Sequence, residues 1–293
     1  MSLFHTSTLL LFVTGFSAWY FLQGAALWAA SCMIAAAYLL LFGLGVCILK
    51  LNYFSSGFHR GSKSGRTVTL TFDDGPDPAG TPELLRVLSR HGVKAAFFVI
   101  GRKAEGYPDL LRKIDEHGHV IGNHFYSHAW YTAFFTGRSI EKEITSTQKA
   151  IQRAVGKVPN FLRPPAGLTN PHFPGVLKRQ RLHLIGWDVR PFDTHNGAGL
   201  VVERVIRKIR SGSVILLHEG TRSPDELAGM VESIIRRLLA LGYTFTGLEE
   251  MVGLPAYQES NIDLHMDEEK VKKLPNPAPG YGPARRTGPT RCL

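Results

Sequence analysis

Two adjacent aspartates, Asp73 and Asp74, and two histidines four residues apart, His124 and His128, carry the side chains of a metal site. Two imidazoles and one carboxylate make a three-ligand, zinc-type centre that keeps a position open. An ion held that way activates water near neutral pH. Asp74 supplies the carboxylate to His124 and His128, which leaves its neighbour Asp73 to take a proton. Arg163 offers Asp73 an opposite charge. His218 is the acid that protonates a leaving amine, and Asp193 orients His218 and favours its charged form, with Asp188 the weaker candidate for that partner. Each residue alone also has a plain structural reading. An Asp-Asp-Gly run is often a solvated turn, and a single histidine is more often packed in a core.

Position argues against the plain readings. Val68–Phe72 alternates β-branched and apolar residues and reads as a buried strand, followed at once by Asp73-Asp74-Gly75-Pro76. Strands are also expected at 94–100, 120–123, 161–163, 183–188, 214–218 and 243–246. Amphipathic patterns between most of them read as helices. Thr81-Pro82-Glu83 starts one, Tyr107-Pro108-Asp109 another, and Gly92, Gly118, Gly156, Gly212 and Gly242 follow their ends. Seven strands alternating with helices predict an α/β fold, a parallel sheet closed or nearly closed into a (β/α) barrel. In such folds, sites collect at the C-terminal ends of strands. Five of these ends carry titratable side chains, which core packing does not require.

The charge is unevenly placed. The net +10 lies wholly in the flanks: Lys50, Arg60, Lys63 and Arg66 on one side, and Lys270, Lys272, Lys273, Arg285, Arg286 and Arg291 on the other, with no acid in either. A neutral body between basic flanks fits an anionic membrane surface and predicts no nucleic-acid partner. The first 49 residues hold no Lys, Arg, Asp or Glu. They read as two apolar segments, 3–22 and 25–49, broken at Gln23-Gly24 and flanked by Trp19, Tyr20 and Trp28, as interfacial aromatics flank membrane spans. The second is the more convincing span; the first, with His5, Thr6, Ser7 and Thr8, reads as a span, an interfacial helix or a signal sequence. The expected organisation is a membrane anchor over 1–50, a basic linker over 51–66, a catalytic domain over 67–255, and a Pro/Gly-rich basic tail over 256–293 that is expected to be disordered. With Cys32 and Cys47 in the apolar region and Cys292 in the tail, the body has no disulfide framework and no cysteine zinc cluster.

Thr71-Phe72-Asp73-Asp74-Gly75, His124-Phe125-Tyr126-Ser127-His128, Arg163-Pro164-Pro165-Ala166-Gly167, Asp193 and Leu216-Leu217-His218 resemble the five ordered motifs of the polysaccharide deacetylases, the NodB homology domain of carbohydrate esterase family 4. The resemblance covers about residues 66–250. It implies a distorted (β/α) barrel of about seven strands and metal-dependent removal of N-acetyl or other N-acyl groups from amino sugars. It implies Asp73 as base, Asp74, His124 and His128 as metal ligands, Arg163 as the partner of the base and His218 as acid. Pro165, Ala166 and Leu216 fall on the substrate and oxyanion side. The ion implied is divalent, Zn²⁺ first, then Co²⁺, Ni²⁺ or Mn²⁺. Three positions depart from the family pattern. Phe125 stands where Ser or Thr is usual, Ala166 where an aromatic residue is frequent, and Thr194 where Trp is frequent.

The expected protein is therefore a membrane-anchored N-deacetylase of the bacterial cell membrane. Its substrate is an N-acylated amino sugar in a glycolipid, a lipid-linked sugar or an envelope polysaccharide. The Lys and Arg residues after the second apolar segment place the body on the cytoplasmic face, where lipid-linked sugars are assembled. The competing readings are an extracytoplasmic peptidoglycan or exopolysaccharide deacetylase, and a silent carbohydrate- or lipid-binding subunit with the same fold.

Overall fold

The structure, a computed structural model, describes residues 2–61, 65–129 and 131–259. The basic tail expected over 256–293 lies, from residue 260 on, outside the described residues. Eight strands form one sheet: β1 (Gly57–Phe58), β2 (Thr67–Gly75), β3 (Ala95–Val99), β4 (Val120–Asn123), β5 (Phe161–Leu162), β6 (His183–Ile185), β7 (Ser213–His218) and β8 (Thr244–Phe245). Their order is β1-β6-β5-β4-β3-β2-β7, with β8 on β2, and every strand pair is parallel. Helices α1 (Leu3–Phe21) and α2 (Gly24–Cys47) precede the sheet. The others are α3 (Gly80–Arg90), α4 (Gly101–Gly106), α5 (Pro108–Glu116), α6 (Gly137–Val155), α7 (Phe173–Gln180), α8 (Ala198–Lys208), α9 (Pro224–Ala240) and α10 (Leu248–Val252). The result is a parallel sheet curled into a half-barrel of the expected α/β type.

Period-two alternation sorts β2 into two faces. Val68, Leu70 and Phe72 join the large outer core, packed with the apolar sides of α3, α8 and α9. Thr69, Thr71 and Asp73 take the other face, where Thr71 and Asp73 meet the guanidinium of Arg163. A smaller core of Ala96, Phe98, Val120, Phe161, Ile185 and Leu248 fills the concave side. Gly122 lets the Phe98 ring lie flat there, because a side chain at 122 would collide with it.

The stretch expected to be a plain linker is partly built into the fold. Gly57-Phe58 pairs with Leu184-Ile185, and Arg60 forms an antiparallel bridge to Ser213. Two residues are too few to show strand periodicity, so this pairing left no pattern to read. The strand expected over 183–188 is shorter, since the chain leaves β6 after Ile185. The apolar segments form two antiparallel helices, with Thr8 hydrogen-bonded to Tyr38 and Phe4 against Phe42. Among the described residues, α2 is the one helix long and apolar enough to cross a membrane. The second expected segment thus meets that test, and the first, left open between a span, an interfacial helix and a signal sequence, does not.

Candidate active site

A β-bulge positions the two aspartates. Asp73 pairs with Phe98 and Gly75 with Val99, so Asp74 is the extra residue in β2. Strict alternation would send Asp74 toward the outer core. Its left-handed backbone, φ 71°, turns it back to the mouth of the barrel. Lys103 on α4 donates to the Asp74 carbonyl at 2.7 Å and holds the bulge. Gly75 has no alternative here, because a side chain would collide with the Glu219 carboxyl. Burial pushes that carboxyl up to about 7.

His124 and His128 follow β4. The His124 ring donates from Nδ1 to the Arg163 carbonyl at 2.7 Å, which leaves Nε2 to face the aspartates. Nε2 lies 3.4 Å from Asp74 Oδ1 and 3.8 Å from Asp73 Oδ2. His128 Nε2 lies 3.0 Å from the same Asp74 oxygen. Neither approach to Asp74 has hydrogen-bond geometry, so Oδ1 is buried without a hydrogen-bond partner. Burial alone would raise the Asp74 carboxyl, but His124 and His128 outweigh it and hold it well below the usual carboxylate range. Burial would likewise lower His124, but the charges of Asp73 and Asp74 raise it above the ordinary imidazole value. The donor atoms of Asp74, His124 and His128 lie within 4.8 Å of one another. Three donors gathered this closely, with a buried oxygen among them that has no hydrogen-bond partner, fit a divalent cation.

Phe125 and His128 also have left-handed backbones, φ 62° and 53°. Bulky residues take that conformation only when their surroundings enforce it. Asn123 accepts from the Phe125 N–H, and the Phe125 ring stacks on Phe173 in a buried cluster. Glu143, on α6, accepts from the N–H groups of Tyr126 and Ser127 and from the Ser127 hydroxyl. Sequence reading took Asn123 only as a strand end, although its bond to the Phe125 N–H is a local turn, and it passed over Lys103, Glu143 and Glu219. The roles of these three depend on contacts with residues far along the chain, and no local spacing marks them.

Arg163 is fully buried and Asp73 is 3% exposed. Arg163 donates to Asp73 Oδ1 at 2.7 Å, to Thr71 Oγ1 at 2.8 Å, and to the carbonyls of Ile185 and Gly186. Its guanidinium also lies 4.2 Å from the Phe98 ring centre and 5.6 Å from that of Trp187.

His218 stands beside Asp73 in the β2–β7 register. Its Nδ1 lies 3.0 Å from Asp193 Oδ1, and Asp193 Oδ2 accepts from its backbone N–H at 2.7 Å. Burial would lower the His218 pKa. The hydrogen bond to Asp193, with the charges of Asp73, Asp193 and Asp74, outweighs burial and raises it. Arg222 donates to the Asp193 carbonyl at 2.6 Å and fixes the loop. Asp188 is engaged elsewhere, accepting from Ser213 Oγ and the Val214 N–H. Leu216 is buried two residues before His218, on the same face of β7. Pro165 is buried, whereas Ala166 is exposed with a left-handed backbone, φ 53°. Trp187 packs over Gly167, so this loop has an aromatic wall although Ala166 lacks one.

Residues 60–185 match the family model described as polysaccharide deacetylase. The chain is 33% identical over 193 residues to a peptidoglycan-N-acetylglucosamine deacetylase of Listeria monocytogenes, covering 66% of this chain but 40% of that protein's length. It is 37% identical over 171 residues to a chitooligosaccharide deacetylase of Sinorhizobium fredii, covering 58% of this chain and 79% of that one. The crystal structure of a peptidoglycan N-acetylglucosamine deacetylase superposes with a TM-score of 0.64 at 32% identity, covering 68% of this chain and 94% of that one. The family model, the relatives and the fold agree: the chain belongs to the polysaccharide deacetylase family.

Proposed function

We propose that this protein is a membrane-anchored, metal-dependent N-deacetylase of amino sugars. The observation that carries the reading is the meeting of Asp73, Asp74, His124, His128 and His218 at one barrel mouth, with Asp74 Oδ1 buried and without a hydrogen bond. Asp74, His124 and His128 hold the ion, most simply Zn²⁺ given two imidazoles and one carboxylate. When bound, the ion polarises the amide carbonyl and activates water.

The chain's own residues do the rest. Asp73 Oδ2 accepts a proton from the attacking water, while Oδ1 stays on Arg163. His218 delivers a proton from its ring to the departing amine, and Asp193 keeps the ring oriented and charged. Pro165, Ala166 and Leu216 line the substrate side, where the Ala166 N–H serves the oxyanion. Phe98 and Trp187 pack against the Arg163 guanidinium behind Asp73.

The pH profile tests the acid. Its raised pKa keeps His218 protonated to higher pH than an ordinary imidazole. In Asp193→Asn the supporting charge is gone and the His218 pKa falls. The alkaline limb of kcat/KM should therefore move about 1–3 pH units lower. An unmoved limb would show that Asp193 does not set the acid.

For the substrate, the charge-free helix pair and the basic flank support a lipid-linked or glycolipid amino sugar, with Lys50, Arg60 and Arg66 favouring the cytoplasmic face. The relatives named for peptidoglycan and chitooligosaccharide support a second reading, a glycan polymer at the outer face. Amine release from a polyprenyl-phosphate-linked N-acetyl sugar, from N-acetylchitooligosaccharides and from peptidoglycan, measured side by side, decides the substrate. Reporter fusions after residue 60 decide the side: alkaline phosphatase activity there contradicts the cytoplasmic placement. No amine from any of the three substrates would leave the silent-subunit reading.

A further inference from the structure

The end of α2 docks on the catalytic end of the barrel, not on its opposite end. Thr169, three residues after Ala166, donates its N–H to the Val46 carbonyl at 3.2 Å, and its hydroxyl meets the Gly45 carbonyl at 3.5 Å. Gly45 is bare because a side chain there would collide with the buried Tyr53 ring. Tyr53 in turn bonds Ser7 through its hydroxyl and accepts from the Phe4 N–H, so α1 is tied to the same junction. Leu49 continues into the buried cluster of Phe125, Phe173 and Leu177. The helix pair is thereby fixed to the loop that carries the oxyanion residue.

The next residue extends the junction. Asn170, also buried, donates to the carbonyls of Ala133 and Phe135. These belong to the loop that follows His128. Between them Phe134 is 84% exposed, and Tyr131 is 44% exposed against Phe135. Phe134 is the most exposed large apolar side chain among the described residues. Through Asn170 and Thr169 its loop is tied to the end of the apolar helix α2.

The dimensions agree. Helix α2, of 24 residues, is ~36 Å long against a hydrocarbon core of ~30 Å, so its Cys47 end reaches the headgroup layer, roughly 5–8 Å thick. Three residues span at most about 11 Å, so Ala166 lies within that distance of Thr169.

We propose that the catalytic mouth is held against the bilayer, with the Tyr131–Phe135 loop as a second lipid contact, and that the site takes amino sugars carried directly on a lipid. This rests on the membrane-anchored reading above. Aromatic side chains suit this layer because an apolar ring and a wet edge coexist there. A glycan polymer would instead have to enter between the mouth and the headgroups.

The test uses the full chain in vesicles of phosphatidylcholine and phosphatidylglycerol. Benzoylphenylalanine replaces Phe134 in one sample and Leu241, exposed at the opposite end of the barrel, in another. Lipid adducts from position 134 and none from 241 are expected. Phe134→Ser should lower turnover of the lipid-linked N-acetyl sugar about tenfold, the equivalent of one partly buried aromatic ring, and leave soluble N-acetylchitooligosaccharide turnover unchanged. Adducts only to a second copy of the chain, or none, in a protein that resists carbonate extraction would overturn the lipid contact and leave the anchor standing. Equal losses on both substrates would make Phe134 a glycan platform and overturn it too. A protein released by carbonate would overturn the contact and the anchor together.

Discussion

Asp73→Asn is expected to lower turnover of an N-acetylated amino sugar by ~10²–10⁴-fold while the metal stays in place. Asparagine keeps the shape of the side chain and an oxygen for Arg163, but it cannot accept the proton from water. Asp74, His124 and His128 are untouched, so metal content should equal that of the wild type. The variant also leaves the buried Arg163 without its counter-charge, so turnover has to be measured well below its unfolding temperature. Loss of the metal in this variant would mean that Asp73 and Asp74 exchange roles. Near-normal turnover would remove Asp73 from the mechanism.

Arg163→Met is expected to lower stability by about 3–5 kcal/mol, the cost of breaking a buried ion pair by removing one partner. The residue is fully buried, and it ties Asp73 on β2, Thr71 below it and the carbonyls of Ile185 and Gly186 at the end of β6 into one network. Methionine fills part of the space against Phe98 but satisfies none of these acceptors. Chemical denaturation of both variants closes the argument. Combined with Asp73→Asn, Arg163→Met should cost less than the sum of the two single changes, because no lone carboxylate is then buried. Strict additivity would show that the pair is not coupled.

Much of the fold was legible because it follows from periodicity. Val68–Phe72 alternates, the helices repeat at helical spacing, and Gly156 sits where a left-handed cap ends a helix. The side chains gathered at the mouth were legible because each stands at the end of such a strand. The bulge was not. Nothing in Asp73-Asp74-Gly75 says that Asp74 will be the unpaired residue, since that depends on the register against Phe98 and Val99. Alternation alone would have parted the two carboxylates. The left-handed backbone at Phe125 was hidden for a similar reason: burial against Phe173 and the Asn123 side chain hold it there. Strand β1 is two residues long, and the docking of Thr169 on α2 joins segments more than 120 residues apart. Neither leaves a local signature.

Metal content per chain, measured by elemental mass spectrometry on wild type and His124→Ala, tests the central claim most directly. His124 is locked by its bond to the Arg163 carbonyl and faces the orphaned Asp74 oxygen. Two remaining ligands hold an ion poorly, so the account predicts about one divalent ion in the wild type and almost none in the variant, with activity lost in step. Full occupancy in His124→Ala, or an active wild type that carries no ion, would contradict it.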